Sequence, residues 1–161
     1  MIAPRVVALL LMAALQLSCN PFRREQAVEI TTSDIPLNAR WNGTLGTPST
    51  LAGAVQIRGS TWMGSPEGSS STTAEVRVSN ATPGGRHPWH VHQGQCGSDG
   101  GIWGDASDYG TIAIDNDGNG SARATIDLPT PSSGNYYVNV HAAPNNLGTI
   151  VACGNLAPPS R

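Results

Sequence analysis

His87-Pro88-Trp89-His90-Val91-His92-Gln93-Gly94-Gln95-Cys96 holds three of the four histidines and one of the three cysteines of this chain. The fourth histidine, His141, ends a second run, Tyr136-Tyr137-Val138-Asn139-Val140-His141, and Cys153 lies farther on. Successive side chains of a β-strand point to opposite faces. If both runs are strands, His90 and His92 share one face and Trp89 and Val91 the other. In the second run Tyr137, Asn139 and His141 share a face, and Tyr136, Val138 and Val140 share the opposite one. The apolar sets belong in a core. That leaves His90, His92 and His141 together on the other side, under the Gly-rich loop that follows the first run. Three neutral imidazoles converging on one point suit copper or zinc. On spacing alone, three partly exposed surface histidines remain the alternative.

Working outward, the rest of the chain is read as short strands and turns. Its 161 residues suffice for one domain. Glycine (19) and proline (12) are abundant and only 12% of residues are charged, which favours turns and strands over long helices. The net charge of −2 and the lack of a basic patch remove the electrostatic footprint of a nucleic-acid binder. Ala54-Val55-Gln56-Ile57 reads as a strand, and Thr73-Ala74-Glu75-Val76-Arg77-Val78 alternates in the half-buried pattern. Ala81–Gly85 is a turn, Gly94–Gly110 a long loop and Thr111–Ile114 a strand. Asp115–Gly120 is a tight turn. It alternates acids as a calcium loop does, but lacks the closing glutamate. Ala122–Leu128, Tyr136–His141 and Ile150–Cys153 complete the strands. The expectation is an all-β fold, an antiparallel sandwich or barrel. Trp62, Trp89 and Trp103 are expected to pack in the core and loops.

The N-terminal part reads differently. Residues 1–19 begin with Arg5 and continue in an apolar run, Val6–Leu17, too short to span a bilayer and of signal-peptide length. Leu15-Gln16-Leu17-Ser18-Cys19 resembles a bacterial lipoprotein cleavage box, in which Cys19 becomes the lipidated residue; Gln16 departs from its usual leucine. Ordinary cleavage nearby is the alternative. Either way the protein is expected to be exported to the periplasm or cell envelope, touching a membrane only through a lipid anchor on Cys19. Residues 20–48 read as a polar tether, with Trp41 as a residue that docks onto the domain, and residues 49–161 as the folded domain. With Cys19 lipidated or removed, Cys96 and Cys153 remain, and two cysteines in an oxidising compartment most simply pair. Two free thiols are the alternative.

His87-Pro88-Trp89-His90-Val91-His92, Cys96, Asp115-Asn116-Asp117-Gly118, Val140-His141 and Ala152-Cys153-Gly154 together resemble the copper/zinc superoxide dismutase family, in the same order and over residues 53–156. The resemblance implies an eight-stranded Greek-key β-barrel. It also implies His90, His92 and His141 as copper ligands, His87 as a bracing histidine, and Cys96–Cys153 as the disulfide. The departures are specific. No histidine lies between Cys96 and Val140, so the family's zinc site and its bridging histidine are missing and zinc is not expected. Asp105 and Asp108 stand near the family's zinc aspartate, and a loop cap or a solvated side chain is the plainer role for each. Ile150 stands where the family has an arginine that draws in superoxide, Asn145 where it has an aspartate, and the loop Ala142–Thr149 is short. Tyr136–His141 also resembles the CHRD domain, an extracellular module.

Three functions follow as expectations. One is a copper-only superoxide dismutase that converts superoxide to oxygen and peroxide. Another is a copper-binding or copper-buffering envelope protein without turnover. The third is a structural or interaction module of CHRD type. A three-histidine zinc hydrolase ranks last, because no general base accompanies the histidines.

Overall fold

The computed structural model describes residues 35–54 and 56–160. The expected signal segment, Cys19 and most of the tether lie outside the described residues.

Eight antiparallel strands form one sheet: β1 (Trp41–Gly46), β2 (Arg58–Gly64), β3 (Thr72–Ser79), β4 (Arg86–Gln93), β5 (Thr111–Ala113), β6 (Gly120–Ile126), β7 (Tyr136–Ala143) and β8 (Asn146–Ala157). Their spatial order is β5-β4-β7-β8-β1-β2-β3-β6. The two edge strands, β5 and β6, are consecutive in the chain and joined by the Asp115–Asn119 turn, so the sheet curls into a nearly closed barrel. The connections β3 to β4 and β6 to β7 skip over other strands.

Alternation builds the interior. On β3, Thr72, Ala74, Val76 and Val78 are buried in the barrel. Trp89 and Val91 of β4 and Val138 and Val140 of β7 meet them, all essentially inaccessible to solvent. Glu75 belongs to the outer row of β3, yet it is buried beneath two arginines. Arg77 Nε donates to its Oε1 at 2.6 Å, and Arg123 donates to its Oε2. Burial pushes this carboxyl up, but the two guanidinium partners outweigh it and hold it below its ordinary value.

Several expected boundaries are corrected. The tether was expected to run to residue 48, but Trp41–Gly46 is a strand in the middle of the sheet, between β2 and β8. Trp41 therefore lies in the core at 0% exposure, and its Nε1 donates to Pro131 O at 2.9 Å. Its polar neighbours face outward, which is why the segment reads as tether. Residues 54–57 are not a strand where they are described; the strand begins at Arg58. Gly59 hides β2 from a pattern search. A Cβ there would lie 2.1 Å from Arg77 O, so a glycine occupies a place where an apolar residue would announce the strand. The stretch Ala142–Thr149 is not a loop but the end of a hairpin. Ala143 pairs with Asn146, and only Pro144 and Asn145 make the turn. Trp62 is not a core residue but lies half-buried on the outer face, with the Arg40 guanidinium 4.3 Å above its ring. The Asp115 turn is a hairpin turn, in which Asp115 Oδ1 accepts from the Asp117 and Asn119 amides.

Candidate metal centre

β4 and β7 pair with Trp89 opposite Val140, His90 opposite Asn139 and His92 opposite Tyr137. Directly paired residues share a face. The register therefore brings His90 and His92 onto the face that carries Tyr137 and Asn139. On its other side β7 pairs with β8, where the register shifts between Val140 and His141 and places His141 opposite Ile150. One nitrogen from each of His90, His92 and His141 lies within 4.8 Å of the others. All three side chains are buried, at 8, 9 and 6% exposure.

The hydrogen bonds settle which nitrogens are free. His92 Nδ1 donates to Gly100 O at 2.9 Å, and His141 Nδ1 donates to Leu147 O at 2.6 Å. Each neutral ring then carries its lone pair on Nε2. His141 Nε2 lies 3.0 Å from His90 Nδ1. His92 Nε2 is buried and has no hydrogen-bond partner. A buried acceptor without a partner is costly unless something occupies it. Two imidazoles oriented by backbone carbonyls through Nδ1, with ligand nitrogens within 4.8 Å of each other and of His90, form an arrangement suited to a metal ion.

Burial pushes the His90 imidazole down to about 4, and the neighbouring His141 and His92 rings add to the shift. Burial also lowers His92, against its bond to Gly100 O, and lowers His141, against its bond to Leu147 O. Desolvation disfavours the imidazolium form. The three rings are therefore neutral at neutral pH, the form that ligates metals.

Further side chains hold the rings in place. Tyr137 stacks on His92 with centroids 5.1 Å apart, and its hydroxyl donates to Ser98 O at 2.7 Å. Tyr109 meets His90 edge-on at 5.4 Å and donates its hydroxyl to Trp103 O. His87 sits on the core-facing row of β4, and its Nδ1 lies 2.9 Å from His141 O. Cys96 and Cys153 form a disulfide with a Cα–Cα distance of 5.9 Å, tying the Gly94–Gly100 loop to β8. This loop supplies the Gly100 carbonyl that orients His92.

Other expected positions do not join the group. Asp105 caps a short 3-10 turn, its Oδ1 accepting from Ser107 N and Ser107 Oγ. Asp108 lies in that same turn, and neither carboxylate belongs to the histidine cluster. Ile150 pairs with His141 across β7 and β8.

A groove of about 1050 Å³ opens beside the cluster, and both His92 and His141 line it. No arginine is among its lining residues, and the sequence has no lysine. Asp99 is its one acidic lining residue.

Sequence reasoning missed Gly100, Leu147 and Tyr109, and gave Tyr137 its face but not its stacking on His92. The first two act through backbone carbonyls, which any residue type carries. Gly100 alone left a trace in composition. A Cβ at that position would lie 1.6 Å from Gln93 O, so only glycine lets the loop return this closely.

Compared with known proteins, the chain matches no protein-family model, and no curated protein matches it.

Proposed function

We propose that this chain is an exported copper-binding protein of the superoxide dismutase-like kind, holding one copper ion through His90, His92 and His141. The buried, partnerless Nε2 of His92, beside the lone pair of His141, is the observation that carries this reading. An all-imidazole donor set of this kind suits copper or zinc. The strand order supports a Greek-key arrangement, since β7 returns beside β4 after the consecutive strands β4, β5 and β6. The disulfide supports an oxidising compartment. Anchoring through Cys19 and residence in the periplasm or envelope belong to the same proposal.

Bound copper would supply the one-electron chemistry that disproportionates two superoxide ions and two protons into oxygen and hydrogen peroxide. The protein's own part is to hold three neutral donors rigidly and dry. Gly100 O and Leu147 O orient the His92 and His141 rings, His87 holds the His141 peptide, and the groove leaves a path for substrate and for solvent protons. The groove's lack of cationic side chains favours a second reading, copper holding without efficient dismutation. A superoxide anion meets no preorganised positive charge there apart from the metal itself.

Copper titration and superoxide decay, run on wild-type protein and His141→Ala, test both readings. Tight binding and rapid decay, both lost in the mutant, establish the dismutase. Tight binding without decay leaves the copper-holding reading. If copper neither binds nor raises the melting temperature, the metal proposal fails, because a ligand of the native state must stabilise it.

A further inference from the structure

β1 pairs with β8 only from Asn42 opposite Ala157 to Gly46 opposite Cys153. Cys153 in turn pairs with Asn139 of β7, and Asn139 with His90 of β4. Gly46, Cys153, Asn139 and His90 therefore form one row across four strands, on the face turned away from the barrel interior. Past Gly46 the chain leaves the sheet. Pro48 has no amide hydrogen to offer a ladder, and Ser49–Leu51 turns as a 3-10 helix. The groove opens where the chain leaves, and Gly46, Cys153 and Asn139 line it together with His92 and His141.

Asn139 stands in the middle of the candidate ligands. His90 lies directly opposite it, and side chains so paired have Cβ atoms about 4.5–5.5 Å apart. His141 is two residues farther along the same face of β7, and His92 is one step diagonal to Asn139 on β4. Asn139 is only 9% exposed. Its carboxamide carries two donor hydrogens and an acceptor oxygen, yet it makes no hydrogen bond within the protein. A buried amide left in this way is costly unless something in the groove takes it up.

The neighbouring polar groups are already committed. His92 and His141 donate Nδ1 to backbone carbonyls, and the Tyr137 hydroxyl donates to Ser98 O. The Thr47 and Ser98 hydroxyls donate to Ile57 O and Gln95 O. Ser49 and Thr50 are exposed, and Thr149 is half-buried. Among the described residues lining the groove, Asn139 is the buried side chain with an N–H still to give.

We infer that Asn139 is the anion-positioning residue of this site. Its Nδ2 donates a hydrogen bond to a small monoanion, superoxide or its analogue azide, that enters by the groove and ligates the ion held by His90, His92 and His141. The inference rests on the copper reading and deepens it. A neutral amide exerts no long-range pull, so it does not replace a guiding cation; it holds the anion once that has arrived.

Azide is titrated into the copper(II)-loaded, disulfide-bonded protein, wild type and Asn139→Leu. Binding is followed by the charge-transfer absorption of the azide complex and by electron paramagnetic resonance. Leucine keeps the volume of the side chain and removes the donor. Azide is expected to bind Asn139→Leu about tenfold or more weakly, the size of one hydrogen bond to a charged acceptor, with copper affinity unchanged. The melting temperature of the metal-free variant stays equal or rises, because an apolar group replaces an unpartnered buried amide. Asn139→Ala repeats the azide comparison if Asn139→Leu does not fold. The inference is overturned if azide binds wild type and variant equally, or if it does not bind wild type. It is also overturned if copper affinity falls with the amide, which would make Asn139 a ligand, or if metal-free Asn139→Leu melts lower, which would make the amide structural. Wild type that takes up no copper sinks the metal reading and this inference with it. Wild type that takes up copper while azide ignores Asn139 sinks the inference alone.

Discussion

His87 Nδ1 lies 2.9 Å from the backbone oxygen of His141, joining β4 to β7 just beyond the point where their regular ladder ends. Pro88 lies between His87 and the first ladder residue, Trp89, and offers no amide. The imidazole of His87 takes the place of a main-chain donor and fixes the peptide that carries a candidate ligand. His87→Ala leaves that buried carbonyl without its partner, at about 1–3 kcal/mol of stability. It also weakens metal binding about 10–100-fold, the usual effect of removing a partner that orients a ligand. Urea unfolding and copper competition measure the two losses, and unchanged affinity would mean that the bond is structural only.

Gly100→Ala tests the second orienting carbonyl. The new methyl would sit 1.6 Å from Gln93 O, so the loop must move away from β4 and take the Gly100 carbonyl with it. His92 then loses the acceptor that holds its Nδ1. Reduced copper affinity with the disulfide still formed is expected. Substitution of the neighbouring Gly101, whose Cβ would meet nothing within 4 Å, leaves affinity unchanged.

The disulfide joins residues 57 apart. In the chain-entropy model a loop of that size contributes about 4 kcal/mol. The double substitution Cys96→Ser and Cys153→Ser is expected to lower unfolding free energy by up to that amount. Equal stability of wild type and double mutant under oxidising conditions would contradict it.

The three buried histidines give the metal-free protein an acid-sensitive stability. His90 is held down to about 4, and His92 and His141 are shifted in the same direction. Unfolded histidines take up protons near pH 6.5, whereas the folded cluster resists them. The unfolded state therefore binds more protons over this interval, and stability rises with pH. Stability is complete above about pH 6.5 and declines as pH falls from there toward about 4. Urea midpoints of metal-free protein between these limits should slope downward on the acid side, and a flat profile would show that the rings are already solvated.

Glu75→Gln probes the opposite wall of the barrel. The buried carboxylate holds both Arg77 and Arg123, and the amide cannot keep both charged contacts. A loss of about 2 kcal/mol is expected, without change in copper affinity. Because the two guanidinium partners hold the carboxyl below its ordinary value, its contribution is present at neutral pH and lost as pH falls from the ordinary carboxylate value through the lowered one.

Residue pattern alone specified the all-β class, the strands carrying Thr73–Val78 and Tyr136–His141, and the shared face of His90 and His92. These depend on side-chain period, which is local and written in residue order. The cysteines that pair were also legible, from their number and the expected compartment. Tertiary structure decided the rest. Trp41 became core only because β1 slots between β2 and β8, and β2 stayed hidden because Gly59 answers to a backbone on another strand. The orientation of His92 and His141 rests on the carbonyls of Gly100 and Leu147, groups that no residue type advertises. The groove arises from the parting of β1 and β8, which depends on where two distant segments cease to pair. Local periodicity assigns a side chain to a face; which backbone lies across from it is fixed only when the barrel closes.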